Sequence, residues 1–250
     1  MNRGILITGA GRGIGAQAAI LAGRRGWSVA VNYRENANAA AATVAAVQQA
    51  GGKAKAIQGD VADEAEVIAL FDAAEAAFAE MGGVKLDGVV VNAGIVAPKA
   101  NVAEMDAARM KQVFDTNILG AFLCAREAAR RLPGRPGAGI VLISSIAARL
   151  GSPGEYVDYA ASKAAVDTLG LGLAKELAPL GVRVNVLRPG LIDTEIHASG
   201  GQPGRAQRLG KTVPLGREGR PEEIAEGIIW LLDEASSYVA GATLDISGGR

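Results

Sequence analysis

The sequence alternates short apolar runs with longer stretches rich in alanine along its whole length. The apolar runs have the length of β-strands, and most of the stretches between them have the length and end signals of α-helices. Strands that alternate with helices form βαβ units, whose right-handed crossovers produce a parallel sheet covered on both faces. Runs that are apolar throughout fit strands that are buried on both faces. The pattern predicts a doubly wound parallel sheet of seven strands in a three-layer α/β/α fold.

The boundaries of these elements follow from the apolar runs and from the glycines and prolines that end helices. Strands are predicted over residues 3–8, 27–32, 53–58, 86–91, 139–144, 182–187 and 242–246. Helices are predicted from the first glycine-rich loop to about residue 25, and over residues 36–50, 63–81, 104–132, 156–180 and 221–232. No linker, repeat or low-complexity segment divides residues 1–250, so we expect one domain. A segment punctuated by glycine and proline, residues 191–219, is expected to be a substrate lid.

Composition argues against several classes of function. The 26 lysines and arginines balance 26 aspartates and glutamates, which leaves no basic excess for nucleic acid or an anionic membrane. Neither a signal peptide nor a run of about 18 apolar residues is recognisable, and the single cysteine, Cys124, rules out an intrachain disulfide. We therefore expect a cytoplasmic protein. The only histidine, His197, argues against zinc sites that need two histidines, so no metal is expected, and we expect His197 to be a solvated loop residue.

Three glycines, Gly9, Gly13 and Gly15, lie between the first strand and the first helix. Glycine permits a tight turn and a close approach of the backbone, and the start of a helix offers unpaired N–H groups to a pyrophosphate. The loop is not a P-loop, because no Gly-Lys-Ser/Thr follows. Its place in a βαβ array predicts a dinucleotide site, and a purely structural turn is the alternative.

The end of the second strand indicates which dinucleotide is bound. A carboxylate there favours NAD, because it bonds the ribose 2′-hydroxyl and repels a 2′-phosphate. Here the position is Asn32, followed by Tyr33 and Arg34, and Arg12 lies in the glycine loop. Two guanidinium groups and no carboxylate fit a phosphate, so the sequence favours NADP. Glu35 can instead pair with Arg34, which keeps NAD open.

Tyr159 and Lys163 are four residues apart, which places them side by side on one face of a helix. A phenol with a pKa near ~10 is a poor acid or base at neutral pH, and a nearby ammonium lowers that pKa. Ser144 and Ser145 close a strand, at the edge of the sheet where ligands bind in open α/β folds. Together these residues predict proton transfer to or from a substrate oxygen. Tyr156 lacks a lysine partner and is expected to pack or to face the substrate.

Further motifs accompany these residues along the chain. They are Thr8-Gly-Ala-Gly-Arg-Gly-Ile-Gly15, Asp60-Val61, Asn92-Ala93-Gly94, Asn117, Ser145, Tyr159-x-x-x-Lys163 and Pro189-Gly190 with Thr194. In this order and spacing they make the chain similar, over essentially its whole length, to the classical short-chain dehydrogenase/reductase family. The resemblance implies a Rossmann-type subunit that transfers hydride between NAD(P) and a carbonyl or alcohol carbon. Within the family, the chain resembles the glucose/ribitol dehydrogenase-like and 3-oxoacyl-carrier-protein reductase-like branches.

The resemblance also implies a role for individual residues. Tyr159 is implied to be the acid–base residue, Ser145 to hold the substrate oxygen, and Lys163 to lower the pKa of the tyrosine and bind the nicotinamide ribose. Asn117 is implied to hold a water in a proton relay, and Asp60 to meet the adenine. The other residues implied to bind the cofactor are Gly9, Arg12, Gly13, Ile14, Gly15, Asn32, Tyr33, Arg34, Val61, Asn92, Ala93, Gly94, Pro189, Gly190, Ile192 and Thr194. The last two are implied to hold the carboxamide.

Two positions depart from the family pattern. The usual Asn-Asn-Ala-Gly is Val91-Asn92-Ala93-Gly94 here, so any role of the first asparagine is absent. The interval from Ser145 to Tyr159 is one residue longer than is common in the family, which leaves Ser144 open as the substrate serine.

Three functions stay open at this point. The first is an NADP-dependent oxidoreductase of a small ketone, sugar or polyol, favoured by the polar, glycine-rich sequence of the lid. The second is a 3-oxoacyl-carrier-protein reductase, for which Arg126, Arg130 and Arg131 would supply part of a basic docking surface. The third is a non-catalytic NADP-binding sensor, against which the complete set of four catalytic residues argues.

The family resemblance implies a homotetramer built on the helices near residues 104–132 and 156–180, with a homodimer as the alternative. Small side chains allow helices to approach closely, and the first of these helices carries Ala121, Ala125, Ala128 and Ala129. The same alanines also suit the internal core. Neither nucleic acid nor a membrane is expected as a partner.

Overall fold

A computed structural model describes residues 3–250 of the chain. Within these residues, seven strands form one parallel sheet in the order β3-β2-β1-β4-β5-β6-β7. The strands are β1 (Arg3–Ile7), β2 (Trp27–Tyr33), β3 (Lys53–Gln58), β4 (Lys85–Val91), β5 (Gly139–Ile143), β6 (Arg183–Pro189) and β7 (Thr243–Ile246). Each strand lies within two residues of its predicted run, and the doubly wound fold expected from the sequence is confirmed.

Helices cover both faces of the sheet. They are α1 (Gly13–Arg24), α2 (Ala37–Gln49), α3 (Glu64–Glu80), α4 (Ala107–Phe114), α5 (Gly120–Arg131), α6 (Ala147–Leu150), α7 (Val157–Leu177), α8 (Ile196–Ser199), α9 (Arg205–Gly210) and α10 (Pro221–Leu232). On one face, α3, α5 and α7 bury side chains such as Phe71, Leu123 and Leu173. On the other, α1 and α10 bury side chains such as Ala18 and Ile228. The central strands are therefore covered on both sides, which explains their continuous apolar runs.

Side chains determine where several helices begin. Asn36 accepts a hydrogen bond from the N–H of Ala39 (3.0 Å) at the start of α2, and Asp63 does the same for Glu66 (3.0 Å) at the start of α3. Each bond satisfies one of the N–H groups that a helix start leaves unpaired. The start of α1 differs, because no side chain caps it and it faces the cleft described below.

The prediction of a single helix over residues 104–132 is wrong. The chain forms a 3₁₀ turn at Val102–Glu104, then α4, a π-helical turn at Asp115–Leu119, and α5. The helix starts late because Asp106 accepts a hydrogen bond from the N–H of Arg109 (2.7 Å) and so caps α4. The π turn adds a residue to one helical turn, which an apolar pattern does not reveal.

The end of the chain differs from the prediction in two further places. Strand β6 continues to Pro189, which pairs with Ile246 at the end of β7. Residues 191–219, for which no helix or strand was predicted, contain the short helices α8 and α9. Both helices lie beside the carboxyl edge of the sheet, where they contribute to the site.

Candidate functional site

A cleft of about 760 Å³ lies at the carboxyl ends of the strands. Parallel α/β sheets bind ligands at this edge, where the strand order reverses, here between β1 and β4. Nearly all the predicted site residues line it: Gly9, Arg12, Gly13, Ile14, Asn32, Tyr33, Arg34, Asp60, Val61, Asn92, Ala93, Gly94, Ser145, Tyr159, Lys163, Pro189, Gly190, Ile192 and Thr194. Gly15 and Asn117 do not line the cleft and are buried.

The glycine loop requires glycine at the positions that the motif indicated. Gly9 and Gly13 have φ angles of +62° and +57°, which strain any other residue. A Cβ atom on Gly15 would lie 2.6 Å from Nδ2 of Asn92 and 2.7 Å from the carbonyl oxygen of Gly9. The loop therefore brings bare backbone to the uncapped start of α1, an arrangement that fits a pyrophosphate.

Two polar side chains hold this loop against the end of β4. Oγ1 of Thr8 accepts hydrogen bonds from the N–H groups of Asn92 (2.9 Å) and Ala93 (3.0 Å). Nδ2 of Asn92 donates to the carbonyl groups of Thr8 (2.8 Å) and Gly9 (3.1 Å). Asn92 thus shapes the cleft by fixing the loop. Thr8 does the same, although sequence analysis assigned it no role.

Asn32, at the end of β2, is engaged with the backbone. Its Oδ1 accepts from the N–H of Gly9 (3.1 Å), and its Nδ2 donates to the carbonyl of Gly59 (3.0 Å). The residue is 2% exposed. Asn32 therefore ties the glycine loop to the chain after β3, and its amide has few groups left for a ligand.

The two arginines expected near a 2′-phosphate have different surroundings. Arg34 lies 2.6 Å from Glu35 and 3.8 Å from Asp60, so the pairing with Glu35 that the sequence left open is present. Arg12 is exposed, and within residues 3–250 it makes no ion pair. The positive charge of Arg12 is thus available for a phosphate, whereas that of Arg34 is partly neutralised by the two carboxylates.

Tyr159 and Lys163 lie together on α7, beside the end of β5. Nζ of Lys163 is 5.8 Å from the centroid of the Tyr159 ring and donates a hydrogen bond to the carbonyl of Ile143 (2.8 Å). The i, i+4 spacing therefore produces the predicted neighbours. The ammonium group is held by the strand rather than by the phenol.

The two serines after β5 are used differently. Ser144 is buried, and its hydroxyl donates to the carbonyl of Lys163 (2.9 Å). Ser145 is partly exposed to the cleft, and its Oγ accepts from the N–H of Ala147 (3.1 Å). This contact does not use the hydroxyl proton of Ser145, which can donate to Tyr159 or to a substrate oxygen in the cleft.

Burial shifts the pKa values of both Tyr159 and Lys163. It raises the pKa of the Tyr159 phenol, and a hydrogen bond with Ser145 lowers it only in part. Burial also lowers the pKa of Lys163 to about 8, against the opposing charge of Asp167. The sequence led us to expect that Lys163 lowers the pKa of the tyrosine, whereas burial raises that pKa in the structure. A phenol with a raised pKa is protonated at neutral pH and can donate its proton.

Asn117 lies in the π-helical turn between α4 and α5. Its Oδ1 accepts from the N–H of Ile95 (2.8 Å), and its Nδ2 donates to the carbonyl of Ile95 (2.9 Å) and to Oγ of Ser162 (3.0 Å). A Cβ atom on Gly94 would lie 3.4 Å from Oδ1 of Asn117 and 3.2 Å from Nζ of Lys163. An added Cβ atom would therefore pack tightly against the Lys163 ammonium group. The water that the family implies for Asn117 stays a prediction.

The lid contacts the start of α7 through a polar cluster that sequence analysis did not predict. The hydroxyl of Tyr156 donates to the carbonyl of Gly200 (3.2 Å) and accepts from Nε2 of Gln202 (2.6 Å). Arg205 pairs with Glu155 at 2.6 Å, and its guanidinium lies 5.7 Å from the centroid of the Tyr156 ring. The sequence indicated only that Tyr156 had no lysine partner. It could not predict these contacts, because they join residues about 45 positions apart.

His197 is not the solvated loop residue that we expected. It lines the cleft, is half-buried, and its Nε2 lies 2.8 Å from the carbonyl oxygen of Ile192. Burial lowers its pKa, although the contact with Ile192 acts in the opposite direction. The expectation was wrong because the short helix α8 turns the ring toward the cleft.

Two negative observations concern residues 3–250. None of their helices is both long and apolar enough to cross a membrane. No group of three or more His, Cys, Asp and Glu side chains among them could hold a metal ion.

Comparisons with known proteins agree with this geometry. A family model described as enoyl-(acyl carrier protein) reductase matches residues 9–250. A variant of the short-chain dehydrogenase/reductase of Serratia marcescens superposes with a TM-score of 0.88 at 32% identity, covering 99% of this chain and 97% of that one. This chain belongs to the short-chain dehydrogenase/reductase family. It is therefore an NAD(P)-dependent oxidoreductase.

Two relatives in the family show the range of known and unknown activities. The chain is 48% identical to the uncharacterized oxidoreductase YgfF of Escherichia coli (strain K12), over 98% of each protein. It is 36% identical to a 3-oxoacyl-[acyl-carrier-protein] reductase of Synechocystis, over 98% of this chain and 95% of that protein. Family membership thus establishes the type of reaction and leaves the substrate open.

Proposed function

We propose that this enzyme interconverts a carbonyl group and a secondary alcohol in a small polar molecule, such as a polyol, a sugar or a ketone. The observation that carries the proposal is the convergence of Ser145, Tyr159 and Lys163 on the cleft beside the glycine loop. When bound, NAD(P) supplies or accepts the hydride. The side chains of this protein orient the substrate and transfer the proton.

Tyr159 is the proton donor in reduction and the acceptor in oxidation. Its raised pKa keeps the proton in place until negative charge develops on the substrate oxygen. Ser145 donates a hydrogen bond to the same oxygen, and it is preferred to Ser144 because the hydroxyl of Ser144 is bonded to the Lys163 carbonyl. Lys163 stabilises the phenolate that the transfer leaves behind, and Asn117 holds a water of the relay. Such positioned proton transfer contributes a factor of about 10²–10⁴ in rate.

We propose NADP as the preferred cofactor, with its 2′-phosphate beside Arg12 and Arg34. The exposure of Arg12 supports this choice, and the pairing of Arg34 with Glu35 weakens it. The glycine loop holds the pyrophosphate, Asp60 and Val61 the adenine side, and Pro189, Gly190, Ile192 and Thr194 the nicotinamide side. Replacing Arg12 by Gln is expected to weaken NADPH binding several-fold and to leave NADH binding unchanged, as measured by fluorescence titration.

The polarity of the substrate end supports a small, hydroxyl-rich substrate. Polar side chains line it, namely Ser152, Tyr156, His197, Ser199 and Arg205. Polar groups buried by an apolar substrate would lose hydrogen bonds, whereas a polyol or sugar replaces them. We propose that residues 1–250 form one domain, whose lid closes over this end of the cleft.

Exposed apolar side chains support a homotetramer. Leu119, Phe122 and Leu171, near α5 and on α7, are 46–50% exposed. Trp230 and Tyr238, in the part of the chain before β7, are exposed as well. We infer that exposed apolar side chains in both parts of the chain serve contacts between subunits, as a tetramer needs. Light scattering of the purified protein distinguishes tetramer, dimer and monomer.

Reduction of a 3-oxoacyl thioester on a carrier protein is a second candidate, favoured by the activity of the Synechocystis relative. An acidic carrier protein needs a basic docking surface. Arg126, Arg130 and Arg131 each have an acidic partner at 2.7 Å, which reduces their attraction for such a carrier. This pairing favours the small-molecule substrate. A non-catalytic NADP-binding sensor, the third candidate, is disfavoured by the complete catalytic set.

The test is oxidation of NADPH and NADH, followed at the nicotinamide absorbance, with ketones, aldehydes, sugars and acetoacetyl thioesters. The reverse reaction is measured with polyols. Turnover of a sugar, polyol or small ketone with NADPH supports the proposal. Turnover confined to acetoacetyl thioesters supports the second candidate. Tight binding of NADPH without turnover of any compound supports the sensor.

A further inference from the structure

A buried ion pair lies directly beside the catalytic tyrosine. Arg109, on α4, faces Asp158, in the first turn of α7. Nε of Arg109 is 2.9 Å from Oδ2 of Asp158, and Nη2 is 3.3 Å from Oδ1. The side chains are only 13% and 2% exposed. This bidentate pairing fixes the relative orientation of the two side chains as well as their distance.

Both partners make a second contact, and each of these contacts reaches the cleft. Oδ1 of Asp158 accepts a hydrogen bond from the backbone N–H of Tyr159 (2.9 Å). Nη1 of Arg109 donates to the carbonyl of Pro98, which lines the cleft in the loop after β4. The pair therefore joins α4, the cleft wall at Pro98 and the backbone of the catalytic tyrosine.

A buried ion pair at this position fixes the arrangement of the groups around it more than it stabilises the fold. Two charges buried together gain little net stability, because desolvation offsets their attraction. They do specify one arrangement, since a displaced partner leaves an unpaired charge in a low dielectric. Proton transfer requires that arrangement, because a misplacement of about 1 Å can reduce the rate about 10²-fold.

We propose that Arg109 and Asp158 are positioning residues for the reaction: they set the backbone of Tyr159 against the cleft wall at Pro98, so that the phenol meets the substrate oxygen. Neither residue contacts the substrate. The proposal rests on the proposed role of Tyr159 as proton donor.

The test compares Arg109→Gln, Arg109→Lys and Asp158→Asn with the unsubstituted full-length enzyme. The substrate is the panel compound that the unsubstituted enzyme reduces fastest. We expect Arg109→Gln and Asp158→Asn to lower kcat about tenfold or more and to leave the Kd for NADPH within about twofold. Arg109→Lys can still pair with Asp158 but cannot also reach Pro98, so it is expected to recover part of kcat.

Asp158→Asn nearly preserves the shape of the side chain, so it keeps the proposal testable if Arg109→Gln does not fold. Arg183→Gln is the matched control. Arg183 also joins separate elements, through hydrogen bonds to the carbonyl groups of Leu231 (2.7 Å) and Ser236 (3.0 Å), but at the amino edge of the sheet. We expect Arg183→Gln to lower Tm and to leave kcat unchanged at temperatures well below its Tm.

Folded Asp158→Asn with kcat within about twofold of the unsubstituted enzyme would overturn the proposal. So would equal losses of kcat in Arg183→Gln, which would show a general loss of stability. Tyr159→Phe is measured in parallel. If that variant keeps its turnover, the role of Tyr159 itself fails; if it loses turnover and Asp158→Asn does not, only the positioning role fails.

Discussion

The two ends of the cleft are built in different ways. At the cofactor end, the glycine loop packs against Asn92 and Ala93, which leaves no room for a Cβ atom at Gly9 or Gly15. At the substrate end, side chains from distant parts of the chain, such as Tyr156 and Arg205, join the lid to α7. In the proposed function, the first end holds the pyrophosphate that all dinucleotides share, and the second end depends on contacts between individual side chains. This difference predicts large losses of cofactor binding for substitutions at the cofactor end and moderate changes in KM for substitutions at the substrate end.

Among the substitutions that test this difference between the two ends, Gly15→Ala is expected to have the largest effect. The new Cβ would lie within 3 Å of Asn92 Nδ2 and of two backbone atoms of the loop. These backbone atoms cannot move away without opening the loop. We expect NADPH binding to weaken more than tenfold. Overpacking of this kind also costs about 1–3 kcal/mol of the free energy of unfolding. Fluorescence titration and thermal unfolding measure the two effects.

Gly11→Ala is the control within the same loop. Its Cβ would meet no atom closer than 3.5 Å. We expect NADPH binding and Tm close to those of the unsubstituted enzyme. Equal losses in both variants would contradict the view that close backbone packing, rather than loop flexibility, accounts for the glycine at position 15.

A moderate effect is expected for Tyr156→Phe. The variant removes the hydrogen bonds to Gly200 and Gln202, each with a net contribution of about 0.5–1.5 kcal/mol to the closed lid. If the proposed lid holds the substrate, KM rises severalfold, while kcat and the Kd for NADPH change less than about twofold. Steady-state kinetics with saturating NADPH provide the measurement. A fall in kcat without a change in KM would show that Tyr156 serves the chemistry instead.

The smallest effect is expected in the pH dependence. Lys163 is a cation below its pKa of about 8 and neutral above it, so kcat for reduction should fall as the pH rises through about 8. The carboxylate of Asp167 raises the pKa of Lys163, and Asp167→Asn should therefore move this fall to lower pH. A pH profile of kcat for the unsubstituted enzyme and for Asp167→Asn tests the direction of this shift. A shift to higher pH would be inconsistent with electrostatic support of Lys163 by Asp167.

The same contrast explains how much the sequence could predict. The sheet and the glycine loop were predictable, because apolar runs and glycine spacing are local signals of buried strands and close backbone approach. Tyr159 and Lys163 were predictable as neighbours, since a helix brings residues four apart together. The spacing and the nearby serines also predicted proton transfer to or from a substrate oxygen, and the family resemblance added the role of each residue.

Other features depend on contacts that no local pattern records. The π turn that places Asn117 beside Ile95 interrupts what reads as one long helix. His197 was expected in solvent, and α8 turns it into the cleft. The raised pKa of Tyr159 follows from burial, which the spacing of its lysine neighbour does not indicate. The pair of Arg109 and Asp158 joins residues 49 positions apart.

The most direct test of this account is Tyr159→Phe, with NADPH binding and turnover measured on the same preparation. The substitution removes one hydroxyl and keeps the ring that lines the cleft. We predict a Kd for NADPH within about twofold of the unsubstituted enzyme and a kcat lower by about 10²–10⁴. A variant that binds NADPH and reduces substrate at a near-normal rate would contradict the assignment of Tyr159 as the proton donor.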